Sequence, residues 1–247
     1  MEIASPLPIV LLEAFDTGMV QRGDGQTIPL RSNIALDEAQ MLYDLVRELQ
    51  PEHVIELGLA QGISTMAMAQ ALEDNERGTL HVLDPRQSEV YESVGVTNLE
   101  RCGLSDRVDF HETYPEEVVP GLPRAQVAFI DASHLFDFTM MDFVLVDKRL
   151  DVGGVVGFHD LWMESLRKAL RYILTNRAEY RLWRPPPIPA HVARRARFGR
   201  ALSAVPGAAK LLKPEVLEPT ALFARQNLVL LEKTGPDTRV WLDHSQF

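Results

Sequence analysis

The sequence predicts an α/β protein that has a doubly wound, mainly parallel sheet with helices on both faces. Between about residues 52 and 178, short apolar runs rich in β-branched residues alternate with helical segments. Such alternation is typical of βαβ units, which place their strands side by side in one parallel sheet. Apolar residues make up 46% of the 247 residues, which is enough to fill the core of one α/β domain.

The predicted elements follow one another in a regular order. Residues 36–50, "LDEAQMLYDLVRELQ", predict an amphipathic helix because leucine and valine recur there at helical spacing. Five predicted strands come next: "HVIELG", "TLHVLD", "RVDFHE", "VAFID" and "GGVVGFHD". The helical segments between and after them are "STMAMAQALED", about 88–102, "EEVVPGL", about 136–149 and about 162–178. "EYRLWR" and "ARQNLVLLEKT" predict two final strands.

We expect one folded unit. Residues 1–35 form an N-terminal extension that packs on a single domain over 36–247. A basic insert at about 185–214 separates the two final strands and is rich in proline, without any acidic residue. Three roles stay open for this insert: recognition of an anionic acceptor, packing on the acidic surface of a second subunit, or a solvated loop.

Composition narrows the range of partners. The formal net charge of −10 argues against an unspecific grip on the nucleic-acid backbone. Cys102 is the single cysteine, so an internal disulfide is ruled out and a reducing cytosol is favoured. No apolar run approaches the roughly 18–20 residues of a membrane span. We therefore expect a cytoplasmic homo-oligomer with no nucleic-acid partner and no membrane span.

A glycine loop follows the first of these strands. In "VIELGLAQGIST", Glu56, Gly58 and Gly62 precede a helix that starts near Ser64. Glycines there let the backbone turn tightly and approach a ligand at the carboxyl end of the strand. The dinucleotide spacing G-x-G-x-x-G is absent, and Glu56 would repel a pyrophosphate. S-adenosylmethionine, which has an ammonium, a sulfonium and no phosphate, fits Glu56, Gly58, Gly62 and Ser64 better.

Two further strand ends carry acidic residues. Asp84 ends "LHVLD", where its carboxylate is placed to accept hydrogen bonds from ribose hydroxyls. Glu112, with His111, follows the third strand, where the edge of an adenine would be contacted. The alternative reading is that Glu56 and Asp84 are simply polar residues at strand ends.

The fourth and fifth of these strands end on residues that could hold a divalent metal. Asp131 ends "VAFID", and His159 and Asp160 end "GGVVGFHD". In a doubly wound sheet these strands are neighbours, so the three side chains meet at one crevice. Oxygen ligands favour Mg²⁺, whereas one imidazole shifts the preference towards Mn²⁺ or another first-row ion. The alternative is that His159 bonds to backbone and only the two aspartates face the crevice.

His134 lies in the loop just after Asp131. An imidazole with an ordinary pKa near 6.5 suits the removal of a proton from a hydroxyl group that a nearby charge has acidified. We therefore predict that His134 is the general base.

These motifs together resemble class I S-adenosylmethionine-dependent methyltransferases, and more narrowly the bacterial small-molecule O-methyltransferases related to macrolide-sugar and catechol O-methyltransferases. The resemblance covers about residues 30–180 and rests on "VIELGLAQGIS", "HVLD", "FIDASH" with Asp142 downstream, and "GGVVGFHD". It implies a Rossmann-like sheet of seven strands with the last antiparallel. It also implies direct methyl transfer from S-adenosylmethionine to a hydroxyl of a sugar, phenol or polyketide.

The resemblance also assigns residues. The family's metal ligands fall on Asp131 and Asp160, and Asp131 is counted with the cofactor-binding residues as well. The middle ligand position, usually acidic, is His159 here. The family's base falls on His134, where some relatives have lysine. Two other functions stay open: a nicotinamide-dependent oxidoreductase on a similar sheet, and a non-catalytic adenosyl-binding protein.

Overall fold

A computed structural model describes residues 5–184 and 226–243 together with positions 194 and 245. The predicted basic insert lies outside this part of the chain, apart from Arg194. The helices are α1 (Ile9–Thr17), α2 (Leu36–Leu49), α3 (Ile63–Asp74), α4 (Gln87–Tyr91), α5 (Val94–Cys102), α6 (Pro115–Val118), α7 (Phe136–Asp147) and α8 (Glu164–Asn176). The strands are β1 (Met19–Gln21), β2 (Thr27–Pro29), β3 (His53–Leu57), β4 (Thr79–Leu83), β5 (Val108–His111), β6 (Ala125–Ile130), β7 (Leu150–Phe158), β8 (Tyr180–Leu182) and β9 (Val229–Lys233).

The large sheet has seven strands in the order β5-β4-β3-β6-β7-β9-β8. Strands β3 to β7 pair in parallel, whereas β9 runs antiparallel to both of its neighbours. The expected seven-stranded sheet with an antiparallel last strand is therefore confirmed. The chain moves outward from β3 to β4 and β5, then crosses to β6 on the other side. The crevice between the carboxyl ends of β3 and β6 is thus the switch point where open α/β sheets bind ligands.

Two hydrophobic cores cover the two faces of the sheet. Alternation along the strands divides their side chains: Val54 belongs to one core and Ile55 to the other. The first core is completed by residues of α2, α3 and α5, and the second by residues of α7 and α8. The prediction of helices on both faces is confirmed.

The N-terminal segment packs on the first of these cores. Residues of α1, including Leu11 and Ala14, are buried in it, and α1 contacts α3 and α5. The sequence did not indicate the short hairpin of β1 and β2 that follows, because each strand has only three residues.

Two predicted helices differ from expectation. The helix expected over 88–102 is broken into α4 and α5, since Glu92 and Ser93 both adopt left-handed backbone, with φ of 51° and 57°. The segment "EEVVPGL" forms only the single turn α6 and a following 3-10 turn, Val119–Gly121, because proline and glycine interrupt it. Within the described ranges, no helix is long and apolar enough to cross a membrane.

A buried ionic network ties the antiparallel end of the sheet to the helices. Asp147, at the end of α7, accepts hydrogen bonds from Arg177 Nη2 and from the Tyr180 hydroxyl, both at 2.7 Å. Lys233 Nζ lies 3.0 Å from Asp147 Oδ1, the oxygen to which Tyr180 donates. Arg177 also donates to Glu179 at 2.6 Å. These contacts hold the pKa of Asp147 below its ordinary value although burial opposes the shift.

Replacing Asp147 by Asn is expected to destabilise the protein strongly, since Arg177 and Lys233 would keep buried positive charge without its counter-charge. The expected loss in the free energy of unfolding is about 3 kcal/mol, measured by urea denaturation. Arg181→Ala removes the exposed ion pair with Glu232 at the same end of the sheet and should cost less than about 1 kcal/mol. Equal losses in the two variants would contradict a structural role for the network.

Candidate active site

Two adjoining cavities open at the carboxyl ends of β3, β4, β6 and β7. The smaller, of about 300 Å³, is lined by Asp131, His134, His159 and Asp160 among others. The larger, of about 430 Å³, extends along the wall that carries Asp84 and the start of α7. The two cavities share Gly58, Ala60, Tyr91, Asp131 and Ala132. A third cavity, lined mainly by α2, β8 and β9, lies apart from these strand ends.

Glycine is required at position 58 because β3 and β6 approach closely there. Gly58 has a φ of 99°, and a Cβ atom on it would lie 2.3 Å from the carbonyl oxygen of Asp131. The backbone N–H of Asp131 donates to the carbonyl of Leu57 at 2.9 Å. Gly62 also has left-handed backbone, with a φ of 85°, at the residue before α3. The predicted glycine loop therefore does bring the backbone of β3 up to the crevice.

Glu56 lies behind this loop. Its side chain is fully buried and its Oε1 accepts a hydrogen bond from the Ser64 hydroxyl. Its Oε2 has no hydrogen-bond partner in the described part of the chain. Burial raises the pKa of Glu56 to about 8, although the Ser64 hydroxyl opposes the shift. Ser64 lines the smaller cavity and Glu56 does not, so Ser64 lies between the carboxyl group and the cavity.

Asp84 faces the larger cavity and also shapes the glycine loop. Its Oδ2 accepts hydrogen bonds from the backbone N–H groups of Leu59 and Ala60, at 3.2 and 3.0 Å, and its Oδ1 accepts one from Arg86 at 3.0 Å. Gln87 Nε2 also donates to Oδ2, at 3.3 Å. Each carboxylate oxygen has two lone pairs, so Oδ1, which accepts only the bond from Arg86 among the described residues, retains acceptor capacity for a ligand.

Glu112 is placed differently from the expected adenine contact. It is exposed, and its Oε1 accepts a hydrogen bond from the backbone N–H of Ser88 at 2.6 Å, which lowers the pKa of Glu112. The larger cavity is lined at this point by Tyr114, Pro115 and Glu116. Glu112 therefore ties the end of β5 to α4 at the rim.

His134 and Asp160 form an ion pair that faces the smaller cavity. His134 Nε2 lies 2.9 Å from Asp160 Oδ2, and this hydrogen bond raises the pKa of His134. Asp160 has left-handed backbone, with a φ of 58°, and its Oδ1 accepts a hydrogen bond from the indole of Trp162 at 2.8 Å. When Nε2–H donates to Asp160, the lone pair of His134 is on Nδ1.

His159 lies among three carboxylates and is only 5% exposed. Its Nδ1 is 3.4 Å from Asp131 Oδ1 and 3.5 Å from Asp160 Oδ1, and its Nε2 is 3.1 Å from Glu38 Oε2. Burial alone would lower the pKa of His159, but these carboxylates raise it to about 11. The ring is therefore an imidazolium. Although burial opposes the shift, the hydrogen bond with His134, together with the contact with His159, holds the pKa of Asp160 well below its usual range. Burial raises the pKa of Asp131, with His159 opposing.

This geometry changes the candidate metal set. Both ring nitrogens of His159 have carboxylate neighbours, Asp131 and Asp160 at Nδ1 and Glu38 at Nε2, so His159 supports the two aspartates at the cavity wall. Potential ligand atoms of Asp131, His134 and Asp160 lie within 4.8 Å of one another. The predicted ligand His159 also lies beside both aspartates, with Nδ1 at 3.4 Å from Asp131 Oδ1 and 3.5 Å from Asp160 Oδ1, and His134 is a candidate that the sequence did not place in the metal set. His134 can give its lone pair to an ion or to a proton, and these two uses exclude each other.

Sequence reasoning did not find Glu38, Asn227 or Trp162 as neighbours of the site. Glu38 lies in the first turn of α2, where its Oε2 also accepts a hydrogen bond from Ala35, and its position in the sequence indicated only a helix start. The Asn227 amide nitrogen lies 2.9 Å from His159 Nε2. Asn227 follows the basic insert in the sequence, so no spacing between motifs indicated that it lies at the site.

Comparison with known proteins agrees with the fold and with the position of the crevice. Residues 55–161, from β3 to just beyond β7, match a family model described as a methyltransferase domain. This part of the chain is therefore similar to methyltransferase domains. Caffeoyl-CoA O-methyltransferase 2 from Petunia hybrida is 30% identical over 156 residues, covering 55% of this chain and 60% of that protein. The chain thus spans less than two thirds of the relative's length.

Two solved structures share the fold of the methyltransferase domain. The O-methyltransferase from Bacillus cereus, solved with SAH, superposes with a TM-score of 0.58 at 17% identity, covering 74% of this chain and 86% of that one. TomG from Streptomyces achromogenes, an O-methyltransferase solved with SAM, gives a TM-score of 0.53 at 18% identity, with coverage of 61% and 73%. The resemblance to class I methyltransferases is confirmed.

Gly58→Ala is expected to be far more destabilising than the replacement of a glycine that has left-handed backbone but open space around its Cβ position. Gly103 has a φ of 69° and open space around its Cβ position, so Gly103→Ala should cost about 1–2 kcal/mol. Gly58→Ala adds a backbone clash at Asp131, worth roughly 1–3 kcal/mol more. Chemical denaturation of both variants checks the difference. Equal stability would show that β3 and β6 can separate freely.

Asp142, in the wall of the larger cavity, gives a pH-dependent prediction. The side chain is 3% exposed, and burial, with a contribution from Glu116, raises the pKa of Asp142 to about 7. In the unfolded chain the pKa is about 3.9. Between these values the folded state keeps a proton that the unfolded state has released, so the free energy of unfolding falls as pH rises and levels off above pH 7.

Asp142→Asn removes this pH dependence. The variant should be more stable than the wild type at pH 8, by about 4 kcal/mol at most, and the difference should vanish near pH 4. Unfolding curves at both pH values measure it. A constant difference between the two proteins at all pH values would contradict a protonated Asp142.

Proposed function

We propose that the protein transfers a methyl group from S-adenosylmethionine to a hydroxyl group of a small molecule. The observation that carries the proposal is the smaller cavity, in which the glycine loop of β3 faces the His134–Asp160 pair. A site for a cationic ligand thus adjoins an imidazole that can take a proton.

The donor set on the glycine-loop side fits this cofactor. Glu56 offers a buried carboxyl oxygen without a hydrogen-bond partner in the described residues, and a ligand ammonium or sulfonium would favour its ionised form. Ser64 donates a hydrogen bond to Glu56 and lines the smaller cavity, so it connects the buried carboxyl group with the cavity wall. Asp84 supplies acceptor oxygens in the larger cavity for hydroxyl groups. No residue of this loop offers positive charge to a pyrophosphate, which counts against a nicotinamide dinucleotide.

The proton chemistry is assigned to His134. When bound, S-adenosylmethionine supplies an electrophilic methyl group on a positively charged sulfur. His134 Nδ1 accepts the proton of the acceptor hydroxyl, and Asp160 stabilises the imidazolium that results. The acceptor oxygen then bonds to the methyl carbon as the carbon–sulfur bond breaks and the sulfur keeps the electron pair as a neutral thioether. The crevice contributes mainly orientation of the two reactants.

Asp131 and Asp160 are the residues that would hold a divalent ion. The two carboxylates lie at the cavity and are joined through His159, so their oxygens are oriented before any ion arrives. Such an ion, when bound, lowers the pKa of a hydroxyl group. Carboxylate ligands favour Mg²⁺ or Mn²⁺.

The rim of the cavities favours an acceptor with an apolar, flat part. Trp162 is 66% exposed and is fixed by its hydrogen bond to Asp160. Leu135 and Phe138, exposed at the start of α7, line the larger cavity. Exposed aromatic and aliphatic side chains beside a reactive pair are typical of a binding surface. Phenolic and polyketide hydroxyls therefore fit this rim better than an unsubstituted sugar.

His134→Gln and Glu56→Gln should produce different defects. Loss of the proton acceptor is expected to lower kcat by about 10²–10⁴ while S-adenosylhomocysteine still binds with its wild-type Kd. Glu56→Gln should weaken S-adenosylmethionine binding roughly tenfold, because a neutral amide replaces the buried carboxylate that lies behind Ser64 and balances the ligand's positive charge. Calorimetric titration and single-turnover methyl transfer to a panel of phenols and polyketides measure these effects.

The same titrations separate the two other functions. Binding of NAD without binding of S-adenosylhomocysteine would replace this proposal with an oxidoreductase. Binding of S-adenosylhomocysteine, together with no gain of a methyl group by any acceptor in mass spectra, would favour a non-catalytic adenosyl-binding protein. Full turnover by His134→Gln at neutral pH would overturn the base assignment alone.

A further inference from the structure

We propose that His81, Asp109 and His111 form a second metal site, suited to Zn²⁺ or a similar first-row ion. The site lies on the edge strand β5 and its neighbour β4, and none of its residues lines either crevice cavity.

The sheet register brings the three side chains together. His81 is paired with Asp109 across the β4–β5 ladder, and His111 lies two residues after Asp109. Because side chains alternate along a strand, all three lie on the same face. Potential ligand atoms of the three residues lie within 4.8 Å of one another.

The two rings converge on one carboxylate oxygen. His81 Nδ1 is 3.0 Å and His111 Nε2 is 3.1 Å from Asp109 Oδ2. Nitrogen and oxygen ligands about 2.0–2.2 Å from a tetrahedral Zn²⁺ are themselves separated by roughly 3.3–3.5 Å. The two imidazole–carboxylate distances are therefore within a few tenths of an ångström of this spacing, and the two ring nitrogens lie within 4.8 Å of each other.

Hydrogen bonding alone does not account for this arrangement. His111 Nε2 is buried and makes no hydrogen bond within the described part of the chain, although it lies beside Asp109. A buried nitrogen without a partner is costly, and an ion held jointly with Asp109 would satisfy it. The side chain of Asp109 is 49% exposed, so an ion can reach the site from solvent.

His53 supplies the outer support that metal-binding histidines usually have. Its Nδ1 lies 3.1 Å from His81 Nε2. If His81 Nε2–H donates to His53, the lone pair of His81 is on Nδ1, the atom that faces Asp109. Such a hydrogen bond on the far side of a ligand ring fixes its tautomer and orientation.

The ligand chemistry selects the class of ion. Two imidazoles and one carboxylate suit Zn²⁺, Co²⁺ or Ni²⁺, whereas Mg²⁺ and Ca²⁺ prefer oxygen ligands alone. The three protein ligands leave the remaining coordination positions to water. The ion would cross-link the two outermost parallel strands, so its binding is expected to raise the Tm.

The test uses the Asp160→Asn variant, in which metal binding at the crevice is weakened. Its outcome therefore does not depend on the proposed function. After treatment with a chelator and dialysis, Zn²⁺ is titrated by calorimetry and the Tm is measured with and without Zn²⁺. We expect about one equivalent of Zn²⁺ to bind and the Tm to rise. Adding His111→Gln or Asp109→Asn should weaken this binding at least tenfold and abolish the rise in Tm.

Asp106→Asn is the matched control, because it removes one exposed negative charge just before β5 and should leave the titration unchanged. Circular dichroism of the metal-free variants checks folding. If His111→Gln fails to fold, the half-exposed Asp109→Asn variant decides the test. The proposal is overturned if no Zn²⁺ binds to the Asp160→Asn protein, or if the bound equivalent survives both substitutions with its Kd unchanged.

Discussion

The buried cation of His159 is the constraint on which the crevice depends. Glu38, Asp131 and Asp160 reach the same point from α2, β6 and the end of β7, and His159 contacts all three. Carboxylates gathered so closely repel one another and would take up protons at neutral pH without a counter-charge. The imidazolium removes most of that repulsion. It therefore joins helix α2 to the carboxyl edge of the sheet by charge as well as by packing.

The same cation divides the work between the two histidines of the crevice. Because His159 contacts three carboxylates, His134 is the imidazole whose lone pair remains available at the cavity. Asp160 contacts both rings, so its carboxylate is oriented from two sides and in turn orients His134. A side chain held in this way loses less conformational entropy when a ligand binds. The crevice thus resembles a preorganised site more than a flexible one.

The sequence predicted the sheet and the edge at which polar residues gather, because strand alternation and strand ends are local features. It did not predict what each residue does there. His159 is defined by Glu38, 121 residues earlier, and such a pairing has no signature in spacing. Glu112 accepts a hydrogen bond from the backbone N–H of Ser88, a contact that its position after a strand did not indicate. The sequence also did not predict the interruption between α4 and α5 at Glu92, since left-handed backbone at a non-glycine residue depends on tertiary packing.

Comparison of the two histidine clusters shows why one fold can hold both a fixed cation and an open ligand set. In the crevice, three carboxylates surround the single ring of His159, so charge balance requires the ring to keep its proton. On β4 and β5, one carboxylate, Asp109, faces the two rings of His81 and His111, so imidazoles outnumber carboxylates there. Zn²⁺ and similar first-row ions prefer such nitrogen-rich ligand sets, whereas the two aspartates of the crevice offer the oxygen ligands that Mg²⁺ or Mn²⁺ prefers. The ratio of carboxylates to imidazoles, more than their spacing, decides which class of ion each cluster suits.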